Sequence, residues 1–158
     1  MKKVIVVILF FLGFQVSLVG AFELEEFSGE KVKLDDMIGQ GRWSLVMFWA
    51  HHCGVCKKEM PVFSEFHNER DDVDVIGISI DGQQDKHLAQ AFLETYQPSF
   101  VSYLSNLTIV AANYQAITEE AFRGTPTFLL FTPDGTLLGN NPGQLSIDAL
   151  EKFIDRNS

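Results

Sequence analysis

The hydrophobic pattern of this chain changes period several times, and each change marks an element. Phe22-Glu-Leu-Glu-Glu-Phe27 alternates apolar with acidic residues. Ser28-Gly29-Glu30 carries turn chemistry, and Lys31-Val-Lys-Leu34 resumes the alternation, which predicts an N-terminal β-hairpin. Ser44 to Ala50 is one apolar run with polar flanks, as expected of a central strand covered on both faces. From Gly54 to Arg70, Cys56, Met60, Phe63 and His67 recur at helical spacing, with Pro61 expected to kink the helix. Val73 to Ile80 returns to strand character, and Leu88, Phe92 and Tyr96 form a helical stripe. A short strand over 100–104 follows, then a second stripe through Leu107, Val110, Tyr114 and Ile117. Thr127 to Phe131, the turn Pro133-Asp-Gly135 and Thr136 to Gly139 predict an antiparallel hairpin. Ser146 is the expected N-cap of a last helix that aligns Ile147, Leu150 and Ile154.

Strands alternating with helices and ending in a hairpin predict one α/β domain of three layers with a central mixed sheet. Its expected span is 22–158, because the start of the chain has a different character. Lys2 and Lys3 precede an almost unbroken apolar run from Val4 to Val19, and Gly20-Ala21 supplies small residues before an acidic stretch. This order predicts an export signal over 1–21, either cleaved after Ala21 or kept as a membrane anchor. Either outcome places the domain outside the cytoplasm, most naturally in a bacterial periplasm. The net charge is −9, and loss of residues 1–21 removes two lysines and no acid. So acidic a domain is a poor ligand for nucleic acid or anionic lipid.

Cys53 and Cys56 are the only cysteines, and they sit where the apolar strand gives way to a helix, the place open α/β sheets use for sites. At a helix N-terminus, unpaired N–H groups and the helix dipole favour a thiolate at Cys53, making it the nucleophile; Cys56, one turn deeper, is placed to resolve a mixed disulfide. A structural bridge over so short a loop would constrain the unfolded chain weakly. His51 and His52 add metal-ligand chemistry, so a copper-binding chaperone using His52, Cys53 and Cys56 is the alternative, although adjacent histidines diverge if the strand continues through them. His67 and His87 are expected on helix surfaces, Phe48 and Trp49 in the core, and Asn106-Leu-Thr108 is a glycosylation sequon without consequence in a bacterial exported protein.

Phe48-Trp-Ala50, Cys53-Gly-Val-Cys56-Lys57 and Pro61 resemble the active-site strand and helix of thioredoxin-fold proteins. Arg123-Gly-Thr-Pro126-Thr-Phe-Leu-Leu-Phe-Thr-Pro-Asp-Gly135 resembles the segment that carries their cis-proline. The export segment, the N-terminal hairpin and the long stretch from Asp81 to Gly124 are similar to the TlpA/ResA/DsbE-like branch of the AhpC/TSA-redoxin superfamily. The resemblance implies a thioredoxin-like fold with an insert before the cis-proline. It also implies an exported thiol-disulfide oxidoreductase, many members of this branch being reductants in cytochrome c maturation. Pro126 is then the cis-proline, and the Thr125 backbone beside the cysteines grips an extended substrate. Several reductases of the branch carry a glutamate three residues after the second cysteine, and Glu59 occupies that position here. One helical turn from Cys56, Glu59 is either a proton partner for the resolving thiol or an ordinary solvated helix residue.

His52 departs from the family pattern, which has tryptophan before the first cysteine. If charged, His52 would favour the Cys53 thiolate. No motif resembles the separate peroxidatic cysteine of peroxiredoxins. No cofactor is implied. The implied partners are substrate proteins with disulfides and a membrane electron donor, with the domain itself monomeric.

Overall fold

The computed structural model describes residues 22–158, so the predicted export segment lies outside the described residues. Among the described residues, seven strands form one mixed sheet in the order β2-β1-β5-β4-β3-β6-β7. β1 (Glu23–Glu25) and β2 (Lys31–Lys33) are the expected N-terminal hairpin, followed by a short 3-10 turn over Leu34–Asp36. At the centre, β3 (Trp43–Trp49) pairs in parallel with β4 (Val73–Ser79) and antiparallel with β6 (Thr127–Phe131). β7 (Leu137–Pro142) completes the second hairpin and runs three residues beyond the Gly139 end expected from the sequence.

All seven residues of β3 are buried, and their alternation divides them between two helix layers. Leu45, Met47 and Trp49 pack with α1 (Gly54–Glu69), α2 (Lys86–Tyr96) and α4 (Ile147–Asn157). Val46 and Phe48 face the opposite layer, where Val110 and Tyr114 of α3 (Leu107–Thr118) meet Phe22 and Leu24. The stretch from Asp81 to Gly124 supplies α2, β5 (Ser102–Leu104) and α3, with β5 parallel to β4 and antiparallel to β1. A glycine is required at position 77 of β4, since a Cβ there would come within 2.0 Å of the Ser102 hydroxyl. Ser102 in turn accepts the Trp49 indole N–H at 3.2 Å, fixing the end of β3 that leads into the cysteines.

Two helical stripes differ from the sequence expectation. In α2 the buried positions are Ala89 and Phe92, with Leu93 and Tyr96 packed against the same cluster, while Leu88 is exposed. Ala89 is fully buried in that cluster. Leu107, in the first turn of α3, is likewise exposed, and Val110, Tyr114 and Ile117 carry the contact. α1 continues through Pro61, whose missing N–H would have served the Lys57 carbonyl; this residue lies on the exposed face, where water can take its place.

Candidate active site

Cys53 and Cys56 are joined by a disulfide, with their Cα atoms 5.2 Å apart. Cys53 is the N-cap of α1: its backbone is extended, its N–H donates to the Ala50 carbonyl at 3.0 Å, and its Sγ accepts the Cys56 N–H at 3.1 Å. The sulfur that would become a thiolate on reduction therefore already receives a helix N-terminal donor, in the position where negative charge is stabilised. Burial separates the two sulfurs. Cys53 retains 8% exposure, whereas Cys56 has none. An incoming disulfide can reach only the first of the two.

The peptide bond Thr125–Pro126 is cis. Thr127 pairs with Phe48, so Pro126 stands at the same end of the sheet as Trp49 and the turn into α1. The Thr127 hydroxyl donates to the Gly124 carbonyl at 2.6 Å, and the Pro126 carbonyl accepts from Gly143 N–H at 2.9 Å, which closes the loop on the start of β6 and holds it to the residue just past β7. A cavity of about 390 Å³ lies away from this end, between β7 and α4, and its walls, including Leu130, Leu138, Leu145 and Phe153, contain no titratable side chain.

Glu59 is buried in the face of α1 that also presents Cys56 and Met60. Its Oε1 accepts the Leu145 N–H at 3.1 Å from the loop before α4, while its buried Oε2 has no partner among the described residues. Burial raises its pKa above the ordinary carboxylate value, and the Leu145 hydrogen bond opposes that rise without cancelling it. Glu59 is therefore not a solvated surface residue.

The histidines behave differently from a continuing strand. β3 stops at Trp49, and His51 and His52 lie in a turn with their rings 4.9 Å apart. Both turn toward Asp81, just beyond β4: His51 Nδ1 lies 2.7 Å and His52 Nδ1 3.8 Å from its Oδ1. The imidazoles thus converge on a carboxylate. His67 also departs from a pure surface role, since its Nδ1 accepts the Val75 N–H at 3.3 Å and links α1 to β4. Asn106 caps α3 through its side chain, which accepts from Ile109 N–H at 3.0 Å. Phe48 and Trp49 are fully buried core residues.

Two contributors were not singled out in the sequence. Asp81 accepts the His51 N–H at 3.0 Å and the Ser79 hydroxyl at 2.6 Å, and so anchors the turn that delivers Cys53. An acidic residue ending the apolar strand β4 was its only visible signal. Leu145 acts through a backbone N–H, for which side-chain identity gives no signal at all.

A family model described as the AhpC/TSA family matches residues 18–139. Thiol-disulfide oxidoreductase ResA of Halalkalibacterium halodurans is 24% identical over 134 residues, covering 85% of this chain and 72% of the relative. Sporulation thiol-disulfide oxidoreductase A of Bacillus subtilis is 21% identical, over 89% and 82% respectively. Among solved structures, MTB DsbF in mixed oxidized and reduced forms superimposes with a TM-score of 0.71 at 20% identity, covering 87% of this chain and 96% of that one. StoA from Bacillus subtilis gives 0.65 at 20%, covering 85% and 96%. The fold is thioredoxin-like.

Proposed function

This chain belongs to the AhpC/TSA family and is a thiol-disulfide oxidoreductase, and we propose that it works outside the cytoplasm, as a monomer, reducing disulfides in exported proteins such as apocytochromes c. The observation that carries this reading is the Cys53–Cys56 disulfide at the N-terminus of α1, one sulfur accessible and the other sealed. In the reduced enzyme the Cys53 thiolate attacks one sulfur of a substrate disulfide, forming a mixed disulfide and expelling the other substrate sulfur as a thiolate. Cys56 then loses its proton and attacks Cys53 Sγ. The second substrate thiolate leaves, the Cys53–Cys56 bond closes, and two electrons have passed to the substrate. A membrane electron donor restores the dithiol.

Glu59 is assigned the proton of Cys56. It lies one turn away on the same helix, is buried, and has an oxygen without a partner among the described residues. Its raised pKa brings its proton affinity closer to that of a thiol than an exposed carboxylate would have. Thr125 and Pro126 are assigned the backbone grip on the substrate, which fits their position at the end of the sheet where β3 leads into the cysteines. A positive charge on His52, next to Cys53, would favour the thiolate. Replacing His52 with alanine is expected to shift the Cys53 titration curve upward; an unchanged curve removes that role.

Trapping tests the assignment of the two sulfurs. Reacting reduced Cys56→Ser protein with a disulfide-containing peptide should accumulate a stable mixed disulfide at Cys53, and Cys53→Ser protein should accumulate none. A mixed disulfide at Cys56 would overturn the order of attack.

A further inference from the structure

The exchange reaction leaves His51 and Asp81 without a chemical task. We propose that His51, His52 and Asp81 form a binding site for a divalent late first-row cation of the Zn²⁺ type. One ligand atom from each lies within 4.8 Å of the others, and the set of two imidazoles and a carboxylate suits such ions. Tetrahedral zinc with bonds of about 2.0–2.1 Å separates its donors by about 3.3 Å. The observed 2.7 and 3.8 Å from Asp81 Oδ1 to the two Nδ1 atoms bracket that value.

The carboxylate is held as metal ligands usually are. Asp81 has a side chain only 1% exposed, and its Oδ2 is occupied by the Ser79 hydroxyl and the His51 N–H. Oδ1 is thereby aimed at the imidazoles, the outer partners fixing the ligand's orientation. A simple His51–Asp81 ion pair accounts for one imidazole. It gives no reason for the second ring to turn toward the same oxygen. His52, with 72% of its side chain exposed, forms the outer wall, so an ion can enter without opening the fold and keep a fourth position for water. The turn that makes this convergence is the one held by Cys53 N–H to the Ala50 carbonyl.

The test is calorimetric titration of the oxidised full chain with ZnCl₂ alone, the disulfide keeping both sulfurs out of the coordination. One ion per chain is expected, with affinity reduced at least tenfold by His52→Ala and by Asp81→Asn. His87→Ala, on the exposed face of α2, is expected to bind as the parent does. Should Asp81→Asn fail to fold, the exposed His52 variant decides alone. Absence of saturable binding, or binding indifferent to His52→Ala, overturns the site. Either result leaves the exchange reaction untouched, since that rests on Cys53 and Cys56.

Discussion

Glu25 and Glu59 are both withdrawn from water, at 9% and 6% exposure, yet their acidities move in opposite directions. Glu25, in β1, is bonded by Lys31, by Gln83 at 2.7 Å and by Lys86 at 3.1 Å. These donors, Lys31 foremost, hold its pKa at about 2 against the desolvation that would raise it. Among the described residues Glu59 has a single neutral donor and no partner for its second oxygen, so desolvation prevails. Exposed area is nearly the same for the two, but Glu59 lies deeper among packed atoms and loses more hydration; that deeper burial, together with the number and charge of the donors, sets the sign. A carboxylate given every partner fastens β1 and β2 to the segment leading into α2. One given half its partners is left able to take a proton.

Exchange rate separates them most strongly. Glu59→Gln should slow single-turnover reduction of a peptide disulfide by about 100-fold at neutral pH, the lower end of what a positioned acid–base group contributes. Glu25→Gln should leave the rate within about twofold. Equal losses in the two variants would break the contrast. Stability, read from urea unfolding, should reverse the order: Glu25→Gln costs about 1–3 kcal/mol by weakening hydrogen bonds to a charged acceptor. Glu59→Gln is expected to be neutral or stabilising at neutral pH, where burying the charged form is unfavourable.

The pH dependence of stability sharpens the comparison further. Glu25 has its pKa depressed in the folded state, so its contribution is complete above about pH 4.5 and is lost as pH falls toward about 2. Glu59 has a raised pKa, so the folded state holds its proton longer than the unfolded one. Its contribution is therefore greatest below the ordinary carboxylate value and declines as pH rises through its folded pKa. Urea midpoints measured across pH should lose the acid-side fall in Glu25→Gln and the higher-pH decline in Glu59→Gln. The smallest effect belongs to Lys86→Met, which removes one of three donors and should move Glu25 titration, followed by carboxyl NMR, upward while leaving it below that of an exposed glutamate.

Much of the fold is legible in the sequence. The buried run of β3 and the two hairpins follow from patterns that only one kind of element can satisfy. The cysteine pair is equally visible there, because the strand ends and a helix begins around it. Side-chain size is a poor guide in α2: Leu88 is the larger apolar residue, but Ala89, at the equally helical spacing to Phe92, is the buried one. Glu59 was identifiable by position, whereas its burial depends on the Leu145 loop, 86 residues away. Asp81 shows the same limitation. Its hold on His51 across 30 residues exists only because β3 and β4 run side by side in register.

Direction of electron flow is the central claim, and the reduction potential of Cys53–Cys56 tests it most directly. Equilibrated against glutathione or dithiothreitol couples, the domain should lie toward the reducing end, nearer the roughly −270 mV of thioredoxin than the roughly −120 mV of DsbA. A potential close to that of DsbA would mark the pair as an oxidant and contradict the account.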